Sequence, residues 1–100
     1  MISHVVLFKL KQFATPEEKQ KTLDQFEAKL LALKEFIPEL KYIEVGRHYL
    51  IDSPSYDLSL ITHFDSIADL DVYRVHPEHL KVIDFVKEIT TERAAVDYEF

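Results

Sequence analysis

The chain has 100 residues, a formal net charge of -6, 47% apolar residues and no cysteine. This length predicts a single domain over residues 1–100, the acidic balance argues against a nucleic-acid partner, and the lack of cysteine excludes disulfides and a thiolate zinc site. Since no apolar run approaches the roughly 20 residues that cross a bilayer and no signal peptide is recognisable, we expect a cytoplasmic protein with no membrane partner.

The first predicted element is a strand over residues 2–11, where apolar side chains recur with a period of two. His4 shares one face of this strand with Val6 and Phe8. The imidazole is therefore expected among apolar neighbours.

A long helix is predicted next. Thr15 can cap its N-terminus, and Pro16 suits its first position. Apolar residues, among them Leu30, then recur at steps of three and four, and the helix is expected to end near Phe36, just before Pro38.

Two further strands are predicted in the middle of the chain. Residues 40–50 favour extended backbone, and Gly46 among them indicates a bulge or a close backbone approach. Residues 52–55 are expected to form a loop. Residues 56–64 alternate again, which predicts a third strand antiparallel to the second.

A short helix is predicted to begin at Ser66. Its expected apolar contacts are Ile67, Leu70 and Val75. Because Pro77 disrupts a continuous helix, we expect a break near His76 and a second helical piece over residues 77–88. The apolar side of that piece is expected to consist of Leu80, Ile83, Phe85 and Val86. A strand over residues 92–100 closes the chain.

The order strand, helix, strand, strand, helix, strand is the split βαβ pattern of ferredoxin-like α+β domains, which have a four-stranded antiparallel sheet with helices on one face. The uncovered face is expected to be apolar as well. Its expected apolar residues are Val5, Leu7, Ile43, Val45, Ile61 and Ala95. Because one chain has no layer left to shelter this face, we expect a homodimer in which two sheets form a dimeric α+β barrel.

Three segments resemble the stress-responsive A/B barrel domain family: residues 3–9, residues 61–66, and residues 73–79 with their His-Pro-x-His spacing. The likeness covers nearly the whole chain in order. It implies the same dimeric α+β barrel, which resembles barrels that host monooxygenases, lactone isomerases and a plant polyketide cyclase.

The resemblance also implies a site. The cyclase branch uses a histidine early in the first strand, a tyrosine before the His-Pro-x-His run and the last histidine of that run. By position these are His4, Tyr73 and His79, which we expect to be catalytic. Leu30 stands where that branch has a pocket tyrosine, a departure from the cyclase pattern. The residues expected to contact a bound molecule are His76, Phe8 and Leu30.

A histidine and a tyrosine close together can transfer protons without a cofactor: the histidine removes a proton α to a carbonyl, and the phenol stabilises the enolate oxygen. We therefore expect a small apolar or aromatic ligand and cyclase- or isomerase-like chemistry, with no cofactor. No metal is expected, because His76 and His79 match no zinc signature.

Two alternatives stay open, a non-catalytic structural or stress-protective dimer and a small monooxygenase. In the non-catalytic alternative, His76 and His79 cap helix ends and the interior is filled. A cavity of roughly 300 Å³ or more, lined by the histidines and Tyr73, distinguishes the ligand-binding hypothesis from a filled interior.

Overall fold

A computed structural model of the chain describes residues 1–51 and 54–100. Its elements are β1 (Ile2–Leu10), α1 (Pro16–Phe36), β2 (Tyr42–Arg47), β3 (Leu58–Phe64), α2 (Ile67–Val75), α3 (Pro77–Ile89) and β4 (Thr90–Glu99). The predicted order is confirmed. In the loop predicted over residues 52–55, positions 52 and 53 lie outside the described residues, and positions 54 and 55 belong to no helix or strand.

The four strands form one antiparallel sheet in the order β2-β3-β1-β4. β1 and β3 lie inside the sheet, and β2 and β4 are its edges. The helices pack on one face, so the predicted ferredoxin-like α+β fold is confirmed. No helix in the described part of the chain combines the length and the apolar character that crossing a bilayer requires.

The hydrophobic core lies between this face and the helices. Strand alternation turns every second side chain of β1 and β3 inward, and the inward ones are buried. The buried residues of α1 are Leu23, Phe26, Leu30 and Leu33. Phe26 packs edge-to-face on Phe8, with ring centroids 5.0 Å apart.

Helix ends follow the local capping signals. Thr15 Oγ1 accepts a hydrogen bond from the Glu18 backbone N–H at 3.1 Å, and Ser66 Oγ does the same for α2. His76 ends α2 and begins α3, where its Nδ1 accepts from the Glu78 N–H at 3.1 Å. The predicted break near His76 is therefore confirmed.

The second strand is shorter than the predicted residues 40–50. β2 is an edge strand, so its length is limited by β3, its one partner in the sheet. Gly46 pairs with Ser59 in a regular register, and a Cβ atom at Gly46 would lie 2.9 Å from Ser59 Oγ. The close approach expected at this glycine is confirmed, whereas the alternative of a bulge is wrong.

The inward faces of α2 and α3 differ from the prediction. Ile67 is 61% exposed and Val75 is 69% exposed, so only Leu70 of the three expected contacts is buried. Tyr73, one turn after Leu70, completes the inner face of α2. The helix is nine residues long and meets the sheet along one narrow stripe, which leaves its ends in solvent.

Three of the four apolar residues expected on the inner side of α3 are partly buried: Ile83, Phe85 and Val86. Leu80 is exposed, whereas Val82 and Ile89 are buried. Phe85 and Val86 pack against the core from partly buried positions. The inner face of α3 therefore includes Val82 and Ile89 and excludes Leu80. The break at His76 gives α3 its own orientation on the sheet.

The strand register also corrects the expected composition of the open face, by which we mean the sheet surface turned away from the helices. Three residues placed there in the prediction face the helices instead, because they pair with buried residues: Ile43, Val45 and Ala95. Because apolar residues are adjacent in β2, the sequence alone does not show which of its side chains face the helices. The apolar and aromatic residues of the open face include Val5, Leu7, Ile61, Ala94, Val96 and Tyr98, with Tyr42 on the edge strand.

Candidate functional site

A cavity of about 420 Å³ lies between the helix-facing side of the sheet and the helices. Five of the sequence-predicted site residues line it together: His4, Phe8, Leu30, Tyr73 and His79. The volume exceeds the 300 Å³ that separates a ligand-binding interior from a filled one. A second concavity of about 500 Å³ is formed mainly by the β1–α1 connection and holds none of these side chains.

The helix break brings Tyr73 and His79 together. Six residues of continuous helix rotate a side chain by about 600°, so the two rings would point about 120° apart on one straight helix. Here Tyr73 lies in the last turn of α2 and His79 in the first turn of α3, with ring centroids 4.2 Å apart. His4 reaches the pair from β1, with its ring centroid 6.3 Å from that of Tyr73.

His76 does not join this cluster. It is not among the residues that line the cavity, and its Nδ1 is engaged in capping α3. An imidazole nitrogen that accepts from a backbone N–H carries no proton, so Nδ1 is occupied by this hydrogen bond. Its geometry is that of a helix cap.

His79 presents an unprotonated nitrogen. Its Nδ1 lies 3.1 Å from the carbonyl oxygen of Arg74, and because a carbonyl can only accept, Nδ1 carries the proton and Nε2 has the lone pair. Burial lowers the pKa of His79; the carbonyl contact opposes this, and the charges of His4, Arg93 and His76 add to the lowering. His79 is therefore a neutral base near pH 7.

Tyr73 is the most buried polar group of the cluster. Its side chain is fully buried, and within the described residues its hydroxyl has no hydrogen-bond partner. Burial raises the pKa of Tyr73, while the charge of Arg93 acts in the opposite direction. The phenol therefore stays protonated, and its O–H has no acceptor among the described residues.

His4 is held by a carboxylate that the sequence prediction missed. The β1–β4 register places Asp97 directly opposite His4, and Asp97 Oδ1 accepts from His4 Nδ1. Asp97 Oδ2 also accepts from Arg74 Nη2 at 2.8 Å. This arrangement fixes the tautomer of His4 with its proton on Nδ1, as carboxylates do for histidines in many active sites.

Two cationic residues of the cavity were missed as well, Lys87 on α3 and Arg93 on β4. Neither has a local sequence signal, because surface cations are common on helices and edge strands. Their position at the cavity depends on the orientation of α3 and the register of β4. Among the described residues, no group of three or more metal-binding side chains is present.

Comparison with protein families gives one match over almost the full length. The model of the stress responsive A/B barrel domain matches residues 2–100. A comparison with curated proteins finds no match.

Three solved structures with the same fold show a range of sequence identity to this chain. A dimeric protein of unknown function and ferredoxin-like fold from Bacteroides fragilis is 34% identical, with a TM-score of 0.88 and coverage of 99% of this chain and 95% of that chain. A dimeric ferredoxin-like protein of unknown function from Thermobifida fusca is 25% identical, with a TM-score of 0.82 and coverage of 99% and 90%. The hydroxynitrile lyase from Passiflora edulis is 21% identical, with a TM-score of 0.80 and coverage of 97% and 90%, and this likeness shows the fold alone.

Proposed function

This chain belongs to the stress responsive A/B barrel domain family, and we propose that it is a homodimer that binds a small apolar or aromatic carbonyl compound and catalyses proton transfer on it without a cofactor. The observation that carries the proposal is the pairing of a buried, unpartnered Tyr73 hydroxyl with a neutral His79 at the wall of the cavity. These two groups are the hydrogen-bond donor and the base that enolisation requires.

The proposed reaction begins with a substrate whose carbonyl oxygen accepts from the Tyr73 hydroxyl. His79 Nε2 removes a proton from the α carbon, the C–H electron pair moves into the enolate, and Tyr73 stabilises the negative oxygen. The imidazolium then returns its proton to another carbon, which gives an isomer. Alternatively the enolate attacks a second carbonyl of the same molecule, a C–C bond closes a ring, and the proton goes to the new alkoxide.

His4 completes the catalytic set in this proposal. Asp97 holds its Nδ1 proton, so Nε2 is the nitrogen left free to accept a hydrogen bond. His4 lies beside Tyr73 and orients the phenol or the substrate oxygen. We assign apolar substrate contacts to Phe8 and Leu30, and we assign His76 to capping α3, which its hydrogen bond supports.

The volume and lining of the cavity also help to weigh the proposed function against a purely structural dimer. A volume of about 420 Å³ with the candidate side chains in its wall supports ligand binding over a filled, purely structural interior. The monooxygenase alternative has a separate readout, since it predicts oxygen uptake with substrate.

The homodimer is supported by two observations. The open face carries apolar residues on three strands, and no element formed by residues 1–51 and 54–100 covers it. The similar structures from Bacteroides fragilis and Thermobifida fusca are described as dimeric. A second copy of the chain is the covering layer that both observations favour.

The test is hydrogen–deuterium exchange at the α carbon of aryl ketones and β-diketones, followed by NMR in D2O. Tyr73→Phe and His79→Gln are each expected to slow exchange by roughly 10² to 10⁴ relative to wild type. His48→Gln, outside the cavity, is the matched histidine control. Because Tyr73 has no partner to lose, Tyr73→Phe is expected to keep the wild-type melting temperature.

Two results would contradict the proposal. One is wild-type exchange no faster than in buffer across the panel. The other is enzymatic exchange that proceeds equally fast in the Tyr73 and His79 variants.

A further inference from the structure

The cavity has an unbalanced charge. Three cationic side chains line it, Arg74, Lys87 and Arg93, and the described residues of its lining include no aspartate or glutamate. The chain as a whole has the opposite balance, with 18 acidic residues against 12 lysines and arginines. The cavity is therefore locally positive within an acidic protein.

Within the described part of the chain, Arg74 alone among these three cations has acidic partners. Arg74 pairs with Asp71 at 3.1 Å and with Asp97 at 2.8 Å. Among the ion pairs of residues 1–51 and 54–100, none includes Lys87 or Arg93. Both residues are exposed, so their charges are open to an anionic group from outside the protein.

Arg93 faces the cavity because it pairs with the inward-facing Phe8 in the regular part of the β1–β4 register, and an irregularity in β4 brings Thr90 to the same face. Residues three apart in a regular strand point to opposite faces. The register shifts between Lys9 and Leu10, so that Lys9 pairs with Glu92 and Leu10 with Thr90. The extra residue in β4 lets both Thr90 and Arg93 line the cavity, and bulges of this kind often re-aim side chains beside binding sites.

Arg93 also acts electrostatically on the proposed catalytic pair. Its charge lowers the pKa of both Tyr73 and His79. Arg93 lies opposite Phe8 in the sheet and lines the same cavity as Tyr73 and His79. A negative group there would be attracted by Arg93 while the apolar wall holds the rest of the molecule.

We propose that the ligand of this cavity is an apolar or aromatic molecule with an anionic head group, a carboxylate or a phosphate, bound by Arg93 and Lys87. The apolar body lies against Phe8, Leu30 and Val82. The inference rests on the proposed function for the location of the site and adds the charge of the substrate. Arg93 is the specificity-determining residue, because its planar fork can bind either head group through two hydrogen bonds.

Isothermal titration calorimetry on the full chain with matched probes tests this inference. 2-Naphthoate and 2-naphthamide share the same ring system and differ in charge. Wild type is expected to bind the carboxylate at least tenfold more tightly than the amide, a ratio typical of a charged hydrogen bond. In Arg93→Leu the ratio is expected to fall below about threefold, and Arg93→Lys is expected to restore part of it.

Lys34→Gln is the matched control, since it removes one positive charge from an exposed site on α1 outside the cavity. It is expected to leave the ratio unchanged. Lys87→Gln is expected to lower the ratio less than Arg93→Leu. Raising the salt concentration should reduce the ratio in wild type, because the interaction is between charges.

Further probes separate the two head groups. Tighter binding of 2-naphthyl phosphate than of 2-naphthoate, with the same dependence on Arg93, supports the inference and assigns a phosphate. Inorganic phosphate binding as tightly as 2-naphthyl phosphate would overturn it, because the apolar body would then contribute nothing. Equal affinity for acid and amide, or no binding of any probe, would also overturn it.

The outcome is separable from that of the proposed function. If α-proton exchange depends on Tyr73 and His79 while acid and amide bind equally, this inference fails and the proposed function stands. If exchange is absent while Arg93-dependent selectivity is found, the proposed reaction fails and the anion site stands.

Discussion

Folding disfavours the charged forms of His79 and Tyr73, the two central groups of the candidate site. Burial disfavours the imidazolium of His79 and the phenolate of Tyr73, and so it preserves a base and a hydrogen-bond donor at the same pH. Perturbed groups in a cavity are typical of functional sites. The same burial carries a stability cost that depends on pH.

The cost at His79 can be measured. Its pKa is lowered in the folded state from an ordinary value near 6.5, so the unfolded chain binds more protons below about pH 6.5. The unfolding free energy of wild type should therefore fall as pH decreases through that range. His79→Gln lacks this loss, and its stability relative to wild type should rise between pH 7.5 and pH 5.0.

Urea unfolding of both proteins at the two pH values provides the measurement. The other histidines titrate in both proteins, so their contributions cancel in the comparison. Identical changes in unfolding free energy for wild type and His79→Gln would show that folding does not disfavour the imidazolium.

Some site residues were predictable from sequence because their signal is local. Tyr73 and His79 lie in one short run with titratable side chains. Asp97 and Arg93 were not predictable, since their roles depend on pairing between strands at opposite ends of the chain. The extra residue in β4 changes which side chains face inward, and no local pattern announces it.

At the scale of elements, helix ends were predicted better than helix faces. Thr15, Ser66 and Pro77 act within one turn of their own position, so the limits of α1 and α2 and the start of α3 follow from local chemistry. Which side of a helix is buried depends on where it meets the sheet. Val75 and Leu80 therefore proved exposed although both fitted an apolar stripe.

Asp57 connects three elements near the start of β3 and carried no sequence signal. Its Oδ2 accepts from the Leu10 N–H at 2.7 Å, and its Oδ1 pairs with Lys19 of α1 at 2.8 Å. Its backbone bonds to Phe8 and His48. The side chain is only 5% exposed, so this carboxylate links β1, α1 and β3 from inside the protein.

Replacing Asp57 should be costly. Asp57→Ala leaves the ammonium of Lys19 and the N–H of Leu10 without this acceptor, and removing one partner of a buried ion pair costs about 3–5 kcal/mol. Asp57→Asn keeps one acceptor oxygen and should cost less. Chemical denaturation measures both values.

The control for this prediction is an exposed ion pair. Lys81 pairs with Glu78 at 3.0 Å on the surface of α3, and Lys81→Gln should cost less than about 1 kcal/mol. If Asp57→Ala were as mild as this control, the carboxylate would not be a structural link.

At the scale of the whole molecule, the sheet separates the cavity from the apolar open face. The helix-facing side holds the cavity, which is lined by residues of β1, β3, β4 and the three helices. The open face holds apolar side chains with no cover. The alternation of apolar residues in the sequence correctly placed Val5, Leu7 and Ile61 on this face. It placed the apolar residues of the two edge strands on the wrong face of the sheet.

A charge placed on the open face should separate assembly from binding. Val96 pairs with Val5 in the sheet and is 56% exposed in one chain, so a single protomer can tolerate Val96→Asp. In a dimer the carboxylate would lie inside an apolar interface, where an unpaired charge is strongly disfavoured. Sedimentation velocity at micromolar concentration should show a dimer for wild type and a monomer near 11.8 kDa for the variant.

Val72→Asp is the matched control, because Val72 is 42% exposed on α2, away from the open face. It should sediment like wild type. The Val96 variant should still bind the 2-naphthoate probe, since Val96 lies on the opposite face of the sheet from the cavity. A monomeric wild type, or a Val96→Asp protein that remains dimeric, would place the interface elsewhere and leave the apolar residues of the open face without an explanation.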